Sequence, residues 1–194
     1  MRKLTVDDIK DHRAYEAERD EFRTRIIELK QRRRIPLGDL MTLVFENTDT
    51  MRWQVQEMAR AERMLTRDQI AHEVKTYNEV IPDEGELSAT LLIELTSEPA
   101  LREWLPKLVG VQRSISFCLP DGSAVVSTEP DEERLTREEE ITTTVHYLKF
   151  HFTPDQAKLL RDGPTQLVVD HPDYQVELTL TDEQRAELAG DLES

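Results

Sequence analysis

The 194-residue chain holds one cysteine, Cys118. Neither an internal disulfide nor a cysteine-ligated cluster carried by this chain alone is available to it. Long apolar runs are missing too: LMTLVF is interrupted by a threonine and ATLLIEL is brief. Both fall far short of the roughly 20 residues that a membrane-spanning helix requires. The N-terminus, MRKLTVDDIK, places acids where a signal peptide carries an apolar stretch, so the expected location is the cytoplasm. No G-x-G-x-x-G, P-loop, G-x-S-x-G or H-E-x-x-H occurs. Several common enzyme classes lose support, although an enzyme whose site is assembled from distant residues stays open.

What the chain has is charge. Charged residues make up 34% and hydrophobic residues 38% of the composition, which describes a soluble globular protein with enough chain for one sizeable core. The net charge of −15 argues against a general nucleic-acid binder, because phosphate contacts supply most non-specific affinity. It is unevenly distributed. Residues 1–34 carry 11 Lys and Arg against 8 Asp and Glu, a net +3, whereas the remaining 160 carry 14 against 32, a net −18. A basic first helix docking on the acidic remainder or on an acidic partner is the expectation.

The spacing of Tyr15, Phe22, Ile26 and Leu29 predicts a long helix from Val6 to about Arg34, opened by a Thr5/Asp8 capping box and closed by Pro36 and Gly38. LMTLVF reads as a buried strand, Thr50 to Leu65 as a second helix, and Thr66 with Gln69 as the cap of a third ending near Tyr77. Beyond the IPDEGE turn, Ala89, Leu91, Ile93 and Leu95 alternate with Thr90, Leu92, Glu94 and Thr96 as in a strand. A short helix distorted by Pro106 follows Ser97, and a hairpin turns at PDGS. After the acidic loop TEPDEERLTREEE come the strand ITTTVHYLKFHF, a helix from Pro154 to Arg161, a hairpin at DHPD and a final helix after Thr181. This order predicts an α+β fold, with a long N-terminal helix and a helical pair packed on a largely antiparallel sheet containing hairpins. One domain over residues 1–194 is expected, compatible with a subdivision into a mainly helical part, 1–82, and a mainly β part, 83–194.

The segment FENTDTMRWQVQEMARAERM draws attention. Projected as a helix, it groups Met51, Val55, Met58 and Leu65 on one arc, and Gln54 and Glu62 fall within it. A carboxylate on a buried arc must be paired, hydrogen-bonded or protonated. One reading is structural: Glu62 pairs with Arg19, Arg23 or Arg25 and fixes how the first two helices dock. The other is chemical: Glu46, Asn47, Arg52, Gln54, Glu57 and Glu62 line a pocket for a metal or polar ligand. No Glu-x-x-His motif of the di-iron bundles accompanies them.

Other reactive residues have plainer readings. His146 and His151, five apart on one strand, should face opposite sides, with His146 as a satisfied core histidine. His171 in its turn has an exposed or capping role. His12 reads as a solvated partner of Asp8. The basic run of Lys30, Arg32, Arg33 and Arg34 is an interaction candidate, also explained by the helix macrodipole. Cys118 lacks a basic neighbour that would make it reactive.

The runs YEAERDEFRTRIIELKQRRRIPLGD, FENTDTMRWQVQEMARAERM, KTYNEVIPDEGELSATLLIEL and LVVDHPDYQVELTLTDEQRAELAGDL together resemble a bacterial family catalogued as domain of unknown function 3501. The likeness spans nearly the whole chain and is most distinctive in FENTDT and QVQEM. It carries over no catalytic residues or cofactor. It implies a bacterial protein whose genes lie near those of a rubrerythrin-like protein and an iron–sulfur oxidoreductase, the expected partners. Two functions follow as expectations: a non-catalytic accessory or interaction protein in a redox or oxidative-stress system, or a metal- or small-molecule-dependent enzyme or sensor using the polar pocket. Homo-oligomerisation is compatible with either.

Overall fold

The computed structural model describes residues 1–130 and 141–193; the greater part of the acidic loop lies outside them. The first helix starts later than its periodicity suggests. Thr5 and Asp8 do form a capping box, but it closes on a 3₁₀ turn at Val6–Asp8. The helix α1 (His12–Arg33) begins afresh, with the Asp11 carboxylate accepting from the Arg13 and Ala14 amides. Pro36 does not simply end it. The chain enters an edge strand, β1 (Arg34–Leu37), a position that tolerates a residue without an N–H. Gly38, at φ +67°, turns it into β2 (Met41–Glu46).

Asn47 caps α2 (Thr48–Ala61) and Thr66 caps α3 (Arg67–Asn78). Then come β3 (Glu86–Ile93), α4 (Glu98–Lys107), β4 (Ile115–Cys118) and β5 (Ala124–Val126). They are followed by β6 (Val145–His151), α5 (Pro154–Asp162), β7 (Gln166–His171), β8 (Tyr174–Thr179) and α6 (Asp182–Leu192). The fold is α+β, as expected, but its strands form two antiparallel sheets, ordered β1-β2-β3-β6 and β5-β4-β7-β8. Since β2 pairs with β3, the first sheet crosses residue 82.

Alternation on the strands decides what lies between the sheets. Leu43, Phe45, Leu87, Ala89, Leu91, Leu148 and Phe150 from the first sheet share one buried cluster with Ile115, Phe117, Leu167 and Val169 from the second. Phe117 sits edge-on to Phe150, with ring centroids 5.0 Å apart. Leu160 of α5 and Leu188 of α6 join this core. Smaller clusters hold the helices: Tyr15, Phe22 and Ile26 with Trp53, and Met51, Val55, Val74 and Ile81 with Leu4.

Candidate functional site

The other face of the first sheet is where polar residues collect. The register that turns Phe45, Leu87, Ala89 and Leu148 inward turns Val44, Glu46, Ser88, Thr90, Tyr147 and Lys149 outward. Cross-strand pairing sets Glu46 opposite Ser88, and Ser88 opposite Lys149, in one row. Val44, Thr90 and Tyr147 form the next row, and Leu92 and Val145 lie beyond it. Above this face stand Arg23, Ile27 and Lys30 of α1, which spacings of four and three place on one stripe. Met51, Trp53 and Gln54 of α2 and Tyr77 of α3 complete the wall of a groove of about 570 Å³. A smaller annex of about 280 Å³, lined by Ser88, Glu129 and Lys149, shares Tyr77 and Tyr147 with it. Both volumes suit a small organic molecule or a short segment of chain.

Several large apolar side chains left exposed meet here: Ile27, Val145 and Tyr147, each 42–46% accessible, border the same groove. Its floor is polar and incompletely satisfied. Glu46 is 3% exposed and its Oε1 accepts from Thr90 Oγ1 at 2.8 Å, but Oε2 has no hydrogen-bond partner. The nearest cation, Lys30 Nζ, is 3.9 Å from it, outside hydrogen-bond reach. Ser88, which lines the annex, is 2% exposed and its Oγ is likewise unpartnered. Such atoms are rare in folded proteins, since each leaves its desolvation uncompensated. At the wall, burial pushes the Tyr77 phenol above its ordinary range, and the neighbouring Gln54 side chain opposes that shift.

The residues anticipated from the second helix separate into different roles. Glu46 and Gln54 line the groove. Asn47 is occupied as the N-cap, accepting from the Thr50 amide at 3.0 Å. Arg52 places its guanidinium 4.7 Å from the Phe22 ring centroid, in the contact between α1 and α2. Glu57 ties those helices together, accepting from Tyr15 Oη at 2.6 Å and from Arg19 Nε at 2.8 Å. The Arg19 hydrogen bond holds the Glu57 carboxyl below its ordinary range, and burial beside Glu57 pushes the Tyr15 phenol up.

Glu62 requires a correction. It is exposed and stands at the C-cap, because α2 ends at Ala61 and Arg63 turns left-handed at φ 51°. The helical projection fails past that point, and Leu65, projected onto the buried arc, is 86% exposed. The polar link between α1 and α2 is therefore Arg19–Glu57, with Gln56 beside it. The Gln56 amide clasps both backbone groups of Lys10 at 2.9 Å, in the break that precedes α1.

The basic run also divides. Lys30 and Arg34 face the groove, while Arg32 pairs with Glu187 on the surface. Arg33 is not a surface residue: 1% exposed, it donates to the Phe45 carbonyl at 2.8 Å and pairs with Glu187 and Asp191 of α6. Among the histidines, His146 is the satisfied core residue expected, with Thr142 Oγ1 3.0 Å from Nε2 and Glu129 Oε1 3.2 Å from Nδ1. This order imitates a hydroxyl–imidazole–carboxylate relay. Thr142 and His146 are buried, however, and neither lines the annex that Glu129 borders. His171 is buried rather than exposed, with Nε2 3.0 Å from the Val109 carbonyl oxygen. His151 is exposed beside Glu86, and His12 lies near Glu16 rather than Asp8. Cys118 is half-buried, with Ser116 Oγ 3.9 Å from its sulfur. Among the described residues, no group of three or more His, Cys, Asp or Glu is placed to hold a metal ion. None of the described helices is long and apolar enough to cross a membrane.

Ser88, Thr90, Tyr77 and Tyr147 line the two cavities without being marked as site residues by any motif in the sequence. The alternation in SATLLIEL does carry part of the signal, because it puts Ser88, Thr90 and Leu92 on one face of a central strand.

A search of curated proteins gave no match. Among solved structures, a crystal structure from Burkholderia pseudomallei, described as a novel protein of unknown function, is similar at 33% identity with a TM-score of 0.91. The likeness covers 98% of this chain and 100% of that one. The model of the family described as Protein of unknown function (DUF3501) matches residues 3–192, and the chain belongs to that family.

Proposed function

We propose that this protein is a non-catalytic accessory protein that works by binding, and that its binding site is the groove between α1–α3 and the outer face of the first sheet. The observation that carries this reading is the Glu46 carboxylate, 3% exposed with one oxygen unpartnered, in the floor of a groove bordered by exposed apolar side chains. A buried carboxylate oxygen left without a hydrogen bond is destabilising, and a donor entering the groove would supply the missing bond. The groove lining contains no histidine, cysteine or aspartate. It therefore offers no nucleophile–base constellation built on histidine or cysteine.

The rubrerythrin-like and iron–sulfur partners belong to this proposal as the proteins an accessory role would serve. Native mass spectrometry of untagged protein purified from its own host tests the reading. The result expected is a bound organic species that Ile27→Glu or Tyr147→Ala removes. A bare polypeptide mass, or a bound species retained in both variants, contradicts it.

A further inference from the structure

Glu46 and Ser88 do more than leave two polar atoms unsatisfied. They occupy directly opposed positions on β2 and β3, point to the same face, and line adjoining cavities that share Tyr77 and Tyr147, Glu46 the groove and Ser88 the annex. Side chains opposed in this way have Cβ atoms about 5 Å apart. A single donor-rich group entering between them can satisfy both oxygens.

The chemistry of that group is narrow. Glu46 Oε2 can only accept, and the charge behind it is buried with one neutral hydrogen bond, from Thr90, and with the Lys30 ammonium 3.9 Å away, too far to donate to it. A neutral hydroxyl donor would leave that charge with Lys30, beyond hydrogen-bond reach, as its one compensating group in the groove. An ammonium or guanidinium compensates it and has N–H groups to spare for Ser88 Oγ. The rings of Trp53, Tyr77 and Tyr147 border the groove, as suits a cation whose own hydration has been removed. The remaining lining charges then act against a simple amine. Arg23, Lys30 and Arg34 stand in the wall against the one carboxylate of Glu46. Arg34 is engaged by Glu94, whereas Arg23 makes no ion pair among the described residues. A ligand that carries its own anionic group turns that surplus of positive charge from repulsion into recognition.

We infer that the groove binds a small zwitterion of the amino-acid class, its cationic nitrogen between Glu46 and Ser88 and its carboxylate toward Arg23 and Lys30. This rests on the groove being the binding site and adds the class of its ligand. The probes are the standard amino acids, screened by isothermal titration at millimolar concentration against the full-length protein. The best binder is then compared with the same molecule lacking its amine. The result expected is saturable binding of at least one amino acid, weakened about tenfold or more by loss of the amine, as befits a charge-assisted hydrogen bond made in a buried site. Glu46→Gln should weaken the amino acid by a similar factor while leaving the amine-free analogue unchanged. Ser88→Ala, a milder change, should act in the same direction, so the test survives if one variant fails to fold. Absence of binding by every amino acid, indifference to the amine, or equal binding by wild type and Glu46→Gln would overturn the inference. An amine-free ligand seated in the groove overturns this assignment alone, leaving the groove as the binding site.

Discussion

Glu46 and Ser88 face one another across the pairing of β2 with β3, 3% and 2% exposed, and each presents an oxygen without a hydrogen-bond partner. Arg52 Nε, Gln112 Oε1 and Arg185 Nε are also buried without a partner, but they lie apart from this pair in the sequence, and other polar groups are satisfied locally. Gln56 satisfies both backbone groups of Lys10, and Tyr174 Oη donates to the Leu37 carbonyl at 2.7 Å. What sets Glu46 and Ser88 apart is that their two unpartnered oxygens share one face of one sheet, at directly paired positions.

Glu46→Gln should therefore cost little. The amide can still accept from Thr90, and the substitution removes a buried charge. Stability to urea should remain within about 1 kcal/mol of the wild type, since replacing a poorly paired buried charge is often neutral. A loss of several kcal/mol would make Glu46 a structural residue.

Glu57→Gln should behave in the opposite way. It removes the acceptor shared by Arg19 and the buried Tyr15 hydroxyl and should cost about 1–3 kcal/mol at neutral pH. The pH dependence has a definite sign. The Arg19 hydrogen bond lowers the folded-state value of Glu57 below its ordinary value of 4.5, so this stability is fully present above that pH. It is lost as pH falls through the folded value. The gap between wild type and Glu57→Gln in urea denaturation should be widest near neutrality and narrow below about pH 4. A gap independent of pH would show that the ionic part of the contact contributes nothing.

Arg33→Met tests a different joint. Arg33 connects the end of α1 to the backbone of Phe45 and Glu46 and to Glu187 and Asp191 of α6. Removing it leaves Asp191, 9% exposed, without that partner, at a cost of about 3 kcal/mol. Arg32→Met, one position earlier and on the surface, should cost less than about 1 kcal/mol. Equal effects in chemical denaturation would contradict the assignment of Arg33 to the interior.

The elements most legible in the sequence were those fixed by local chemistry. Thr66 with Gln69, Thr153 with Gln156 and Thr181 with Gln184 each form the capping box that their spacing announces. The end of α2 was not legible. No glycine or proline marks it, and the left-handed turn falls on Arg63, which has no intrinsic preference for that conformation. Arg33 looked like one more charge at a helix terminus, because its burial is decided by α6, more than 150 residues away. The site was half visible for the same reason. Glu46 was one of six candidates within its own segment, whereas Ser88 and Tyr147 reach it through strand pairing that no local pattern encodes.

The measurement that tests the account most directly uses the four tyrosines of the chain as reporters. Tyr77 and Tyr147 border the groove, Tyr15 lies between α1 and α2, and Tyr174 stands where β8 meets the turn after β1. With the tyrosine rings isotopically labelled, small-molecule extract from the host is titrated in and followed by NMR. The prediction is that the Tyr77 and Tyr147 signals move together and saturate while those of Tyr15 and Tyr174 stay in place. Movement of Tyr15 or Tyr174 alone, or no movement of any of the four, would contradict the assignment of the groove as the binding site.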